Sequence, residues 1–180
     1  MNYKHRIIDK QFDERMHALG AVLFVGPKGC GKTTTAKQKA KTVIEFQNEE
    51  ERENLLLLAN NHPSDLLRHP KPILYDEWQD APKIWGTIRK DIDDNQLVGA
   101  YILTGSSSQK VKTPHTGTGR ISTLKMYPMS LFESGDSNGE VSLFDLFENP
   151  LSFNGCHSNL KKGAYKQVYG LWKIAYKQLY

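Results

Sequence analysis

Gly26-Pro27-Lys28-Gly29-Cys30-Gly31-Lys32-Thr33 reads G-x-x-x-x-G-K-[ST] in full, and no other feature constrains the fold as tightly. Composition alone yields such a match in roughly one chain of this size in a few hundred. Here it begins where five apolar residues, Ala21 to Val25, stop, and it ends where helix formers, Thr33-Thr34-Thr35-Ala36-Lys37, begin. An apolar strand, a glycine loop and a helix in that order describe a phosphate-binding loop. Phosphate oxygens have to be met by several converging backbone N–H groups. Gly26, Gly29 and Gly31 let the main chain curl without a Cβ in the way, and the helix start points its positive end at the anion. The contact set is Gly26, Pro27, Lys28, Gly29, Cys30, Gly31, Lys32, Thr33 and Thr34. Lys32 reaches the β and γ phosphates of ATP, and the Thr33 hydroxyl ligates Mg²⁺.

A metal at such a loop needs an acid at the end of a neighbouring apolar strand. Ile73-Leu74-Tyr75-Asp76-Glu77 supplies one. Asp76 holds Mg²⁺ through water, and Glu77, pointing elsewhere, polarises a water for attack on the γ-phosphate. The bland alternative for this pair is a solvated strand end. No N-K-x-D guanine-reading motif is present, which argues against a GTPase.

A further apolar run, Val98 to Leu103, leads into Thr104-Gly105-Ser106-Ser107-Ser108. A strand here lies between those of the loop and of Asp76, and brings a small hydroxyl, Ser106, near the γ-phosphate; an ordinary polar loop is the alternative. Arg120, after Gly117-Thr118-Gly119, neutralises transition-state charge from its own chain or from a neighbouring subunit, or is an exposed structural arginine. Cys30 is either a small residue that fits the loop or a redox-sensitive thiol at a helix start.

The remaining pattern alternates strands with helices. Ile7, Ile8, Phe12, Met16 and Leu19 share one helical face. Thr42 to Phe46 is β-branched, 48–60 reads as a helix, and Ser64 caps a short one. Pro82 opens a helix with Ile84, Ile88 and Ile92 on one face, and Ile121 to Tyr127 is a fifth strand closed by Pro128. Residues 109–119 read as a mobile loop. The fold class is therefore α/β: a three-layer P-loop nucleotide-binding fold with a parallel sheet and helices on both faces. Residues 1–133 form the core, 134–160 a linker with a short apolar segment, and 161–180 a basic helix striped with Tyr165, Tyr169, Trp172, Tyr176 and Tyr180.

The net charge of +4 resides in that tail: residues 161–180 carry five lysines and no acid, so the rest sums to −1. The body is no general polyanion binder. The aromatic stripe is a core-packing helix, an oligomer contact or a surface that stacks single-stranded nucleic acid. Two cysteines without ligand spacing, no secretory signal and no apolar run of spanning length point to a cytoplasmic protein with no membrane partner.

Taken in order, GAVLFVGPKGCGKTT, PILYDEWQDAPKIW, YILTGSSS and TGTGRISTLKMYPMSLFESG resemble the bacterial and archaeal AAA-type ATPases that carry a C-terminal domain of uncharacterised function. The resemblance spans about residues 3–148. It implies strand order 5-1-4-3-2, Lys32 and Thr33 in Walker A, Asp76 and Glu77 in Walker B, the hydroxyls after Leu103 at the sensor position, and a functional role for Arg120. Family members continue well beyond the point at which this chain ends, so 161–180 is expected to open a further domain. The function expected is Mg²⁺-dependent ATP hydrolysis coupled to conformational change, in a chain that forms homo-oligomers or engages a protein or nucleic-acid partner. The alternatives are a nucleotide-gated switch that hydrolyses little and, third, a small-molecule kinase.

Overall fold

In the computed structural model, residues 3–106 and 117–137 are described. The expectations for 107–116 and 138–180, including Ser107, Ser108, most of the mobile loop, most of the linker and the aromatic tail, lie outside them.

Five parallel strands form one sheet: β1 (Ala21–Gly26), β2 (Thr42–Glu45), β3 (Ile73–Asp76), β4 (Tyr101–Ser106) and β5 (Ile121–Lys125). Their order is β2-β3-β4-β1-β5, the 5-1-4-3-2 arrangement read in reverse. β4 does lie between β1 and β3, pairing Gly26 with Ser106 and Tyr75 with Leu103.

Strand side chains alternate between two buried layers. Ala21, Leu23, Ile73, Tyr75, Tyr101 and Leu103 face one core, shared with Ala59 of α3 (Arg52–Asn61) and with Ile84, Ile88 and Ile92 of α4 (Lys83–Asn95). Val22, Phe24, Leu74 and Ile102 face the other, against Phe12 and Met16 of α1 (Asp9–Ala18) and Ala36 of α2 (Lys32–Lys37). Burial on both faces is what makes β1, β3 and β4 read as unbroken apolar runs.

Several boundaries differ from expectation. Ile7 precedes α1 and is 65% exposed, and Leu19 is the C-cap, so only Phe12 and Met16 of the apolar face are buried. The strand expected from Val98 starts at Tyr101. Gly99 has φ +61, and a Cβ there would stand 2.6 Å from the Met16 carbonyl oxygen, so the chain must turn under α1 before it can pair. α3 begins at Arg52, after a turn in which Arg52 N–H donates to the Asn48 carbonyl. Ser64 caps nothing: Pro63–Leu67 is a 3₁₀ turn that starts at the proline itself. A second 3₁₀ turn, Trp78–Asp80, follows β3. After β5, α5 (Leu131–Ser134) opens with a complete capping box between Ser130 and Glu133.

Candidate nucleotide-binding site

β1 ends at Gly26, and the chain climbs over the sheet before α2 begins at Lys32. Three positions in that loop require glycine. Gly31 sits at φ +97 and Gly29 at φ +79, conformations that L side chains rarely adopt. At Gly26 the reason is space, since a Cβ there would lie 2.2 Å from the Met126 carbonyl oxygen. Pro27, Cys30 and Lys32 are buried, Gly31 and Thr33 partly so, and Lys28, Gly29 and Thr34 are exposed along the rim.

Lys32 is the unusual group. Its side chain is buried, the residue being 5% exposed, yet among the described residues its ammonium is held by two carbonyls of the loop: Nζ donates to Gly26 O at 3.0 Å and to Pro27 O at 2.9 Å. Among the described residues no carboxylate pairs with it. A buried cation without a counter-charge is unfavourable unless an anion comes to it.

Asp76 ends β3 beside the loop. Its Oδ1 accepts from the Thr33 hydroxyl at 2.6 Å and from the Thr104 hydroxyl. Alcohol and carboxylate oxygens are the hard donors that suit Mg²⁺ when phosphates complete the shell. Among the described residues no group of three or more His, Cys, Asp or Glu gathers elsewhere to hold a metal.

Glu77 follows in a left-handed conformation, φ 53 and ψ 50, which directs it away from Asp76. Its backbone N–H donates to Thr104 Oγ1 at 3.1 Å. The fully buried Thr104 therefore ties both acids to β4. Ser106 stands at the end of β4 in register with Gly26. The run Thr104 to Ser108 marks this strand end in the sequence. The strand register singles out Thr104, because the pairing of Tyr75 with Leu103 puts it next to Asp76.

Arg120 is not brought to the loop. It precedes β5, whose Ile121 pairs with Ala21 at the start of β1, five residues before Gly26. At 3.3 Å per residue the two lie about 16 Å apart along the strand. Its guanidinium donates to Asp93 Oδ1 at 2.6 Å on the far edge of the sheet. In this structure Arg120 stands away from the loop of its own chain, because a parallel sheet puts strand starts and strand ends at opposite edges.

Cys30 is enclosed, and burial pushes its thiol up against the downward pull of Lys32. Its sulfur donates to the Met126 carbonyl. A thiolate sensor needs the reverse, so the structure favours the small residue that fits.

One residue not anticipated from the sequence braces the loop from outside. Arg6 donates through Nη1 to Cys30 O, through Nη2 to Tyr127 O and through Nε to Glu133 Oε1, each at 2.9 Å. The Glu133 side chain is 8% exposed. Burial alone would raise its pKa, but donors from Ser130, Ile7 and Arg6 outweigh that and hold it at about 2. Between Tyr3, Arg6, Thr34, Gln38, Pro128 and the loop lies a cavity of about 400 Å³.

Residues 20–134 match a family model described as an AAA domain. Among solved structures, the chain is similar to a RuvB variant of Thermotoga maritima at 20% identity and a TM-score of 0.47. That match covers 70% of this chain and 46% of the other, so the chain spans less than half the length of that protein. No curated protein matches. Among the described residues no helix is long and apolar enough to cross a membrane.

Proposed function

Because the chain belongs to the AAA domain family of ATP-binding P-loop ATPases, we propose that it is a Mg²⁺-dependent ATP hydrolase whose Walker A segment is Gly26 to Thr33 and whose Walker B pair is Asp76 and Glu77. The observation that carries this reading is the buried, uncompensated ammonium of Lys32 at the mouth of a glycine loop. A polyphosphate supplies the missing negative charge, and Nζ exchanges its two neutral carbonyls for β and γ oxygens. Amides of the loop meet the remaining oxygens, and the cavity beside it, lined by Tyr3 and Gln38, takes the nucleoside.

Thr33 and Asp76 would hold Mg²⁺, which screens the phosphate charge as the γ-phosphoryl group leaves. The Thr33 hydroxyl, which donates to Asp76 Oδ1, would offer its oxygen lone pairs to that ion. Glu77 accepts the proton of the attacking water, and the Thr104 hydroxyl keeps the turn that aims it. Ser106, at the end of β4, contacts the γ-phosphate end. Arg120 serves the site of a neighbouring copy, which makes a homo-oligomer the working form. The body of the enzyme is 1–133, followed by a linker at 134–160 and a basic aromatic segment at 161–180.

The position of Arg120 also favours a second reading. A chain that does not assemble lacks this arginine at its own site and acts as a nucleotide-gated switch with little turnover. Steady-state phosphate release in ATP and Mg²⁺ separates the two. Wild type turns over, and Glu77→Gln binds ATP but releases phosphate more slowly by about 10²-fold or more. Equal turnover in the two proteins removes Glu77 from the mechanism.

A further inference from the structure

The left-handed turn at Glu77 has a second effect: it folds the chain into the 3₁₀ turn Trp78–Asp80 and brings Gln79 back beside the acid. Gln79 is 9% exposed and lies over Gly105 of β4. A Cβ at Gly105 would stand 2.9 Å from Gln79 Oε1 and 3.1 Å from Trp78 Nε1, so the absent side chain there makes the room.

The Gln79 Nε2 group donates to Glu77 Oε2. An ionised carboxylate only accepts, so chemistry fixes the amide with its nitrogen toward Glu77 and its oxygen away. That oxygen is then enclosed without a hydrogen-bond partner among the described residues. An unpaired buried amide oxygen destabilises a fold, whereas a methionine of similar length fills the same space with no such penalty. Packing therefore does not account for glutamine at this position. Its donor does.

We propose that Gln79 is a positioning residue for Glu77, whose carboxylate it holds by one oxygen so that the other accepts from the attacking water. The inference rests on Glu77 acting on that water. Glu77 is fixed at both ends, its N–H on Thr104 and its Oε2 on Gln79, and both anchors stand on buried side chains. Such bracing is what a base needs, since a small misplacement of a reacting group slows catalysis far more than it weakens binding.

The test substitutes Gln79→Met and measures melting temperature, ATP·Mg²⁺ affinity and turnover on the same protein, alongside Glu77→Gln and the double variant. The expected result is a melting temperature no lower than wild type, a Kd within about twofold, and turnover slower by about tenfold or more, with no further slowing when Gln79→Met is added to Glu77→Gln. Wild-type turnover in Gln79→Met overturns the proposal. A lower melting temperature with Kd weakened in parallel also overturns it, because it marks a packing role. If Glu77→Gln itself turns over normally, the base reading fails and this role with it. An inactive Glu77→Gln beside a fully active Gln79→Met removes Gln79 alone.

Discussion

Thr104→Val keeps the shape of a fully buried side chain and removes only its hydroxyl, which isolates the hydrogen bonds that tie the two acids to β4. The partly buried Glu77 N–H, 3.1 Å from Thr104 Oγ1, loses its acceptor; leaving such a donor unpaired costs about 1–3 kcal/mol. Asp76 Oδ1 loses one of two hydroxyl donors but keeps Thr33 at 2.6 Å, so that loss adds roughly 1 kcal/mol. The sum is about 2–4 kcal/mol, or a melting temperature lower by roughly 5–15 °C for a chain of this size. Thr104→Ser keeps both bonds and gives up one methyl, worth about 1 kcal/mol. Thermal unfolding followed by circular dichroism measures all three proteins. Valine melting within about 2 °C of wild type, or serine falling as far as valine, would refute the argument, because the stabilisation would then lie in packing.

Two other outcomes follow from the geometry. Glu133 has its folded pKa lowered from 4.5 to about 2, so the stability it contributes is present above pH 4.5 and lost as pH falls toward 2; urea midpoints should fall more steeply over that window for wild type than for Glu133→Gln, and parallel curves would remove the Arg6–Glu133 brace from the stability of the fold. Arg120→Ala should lower kcat by about 10³-fold or more while Kd changes little, and mixing it with Glu77→Gln should restore activity, since each subunit then supplies what the other lacks; wild-type turnover in Arg120→Ala alone would leave the arginine as a partner of Asp93.

The edge of the sheet that carries the candidate site was legible because strands buried on both faces leave uninterrupted apolar runs. The residue at which each run stops, Gly26, Asp76 or Thr104, is where the chemistry gathers. The strand order was not legible from spacing; it came with the resemblance to AAA-type ATPases. Gln79 was invisible because nothing in local propensity announces a left-handed glutamate, and it is the turn at Glu77 that carries Gln79 over Gly105 of β4. Arg6 and Glu133 stand 127 positions apart, beyond the reach of any periodicity argument. Val98 misled because it is apolar yet 60% exposed: the tight passage of Gly99 under Met16 decides where the strand starts, and hydrophobicity does not.

The central claim is that the buried charge of Lys32 waits for a polyphosphate. Calorimetric titration of ATP·Mg²⁺ into wild type and Lys32→Ala tests it most directly. With ~1.5–3 kcal/mol for a hydrogen bond to a charged group, saturable binding to wild type is expected, with affinity weaker by about ten- to a hundredfold or more in the variant. Lys32→Ala binding ATP·Mg²⁺ as tightly as wild type would contradict it.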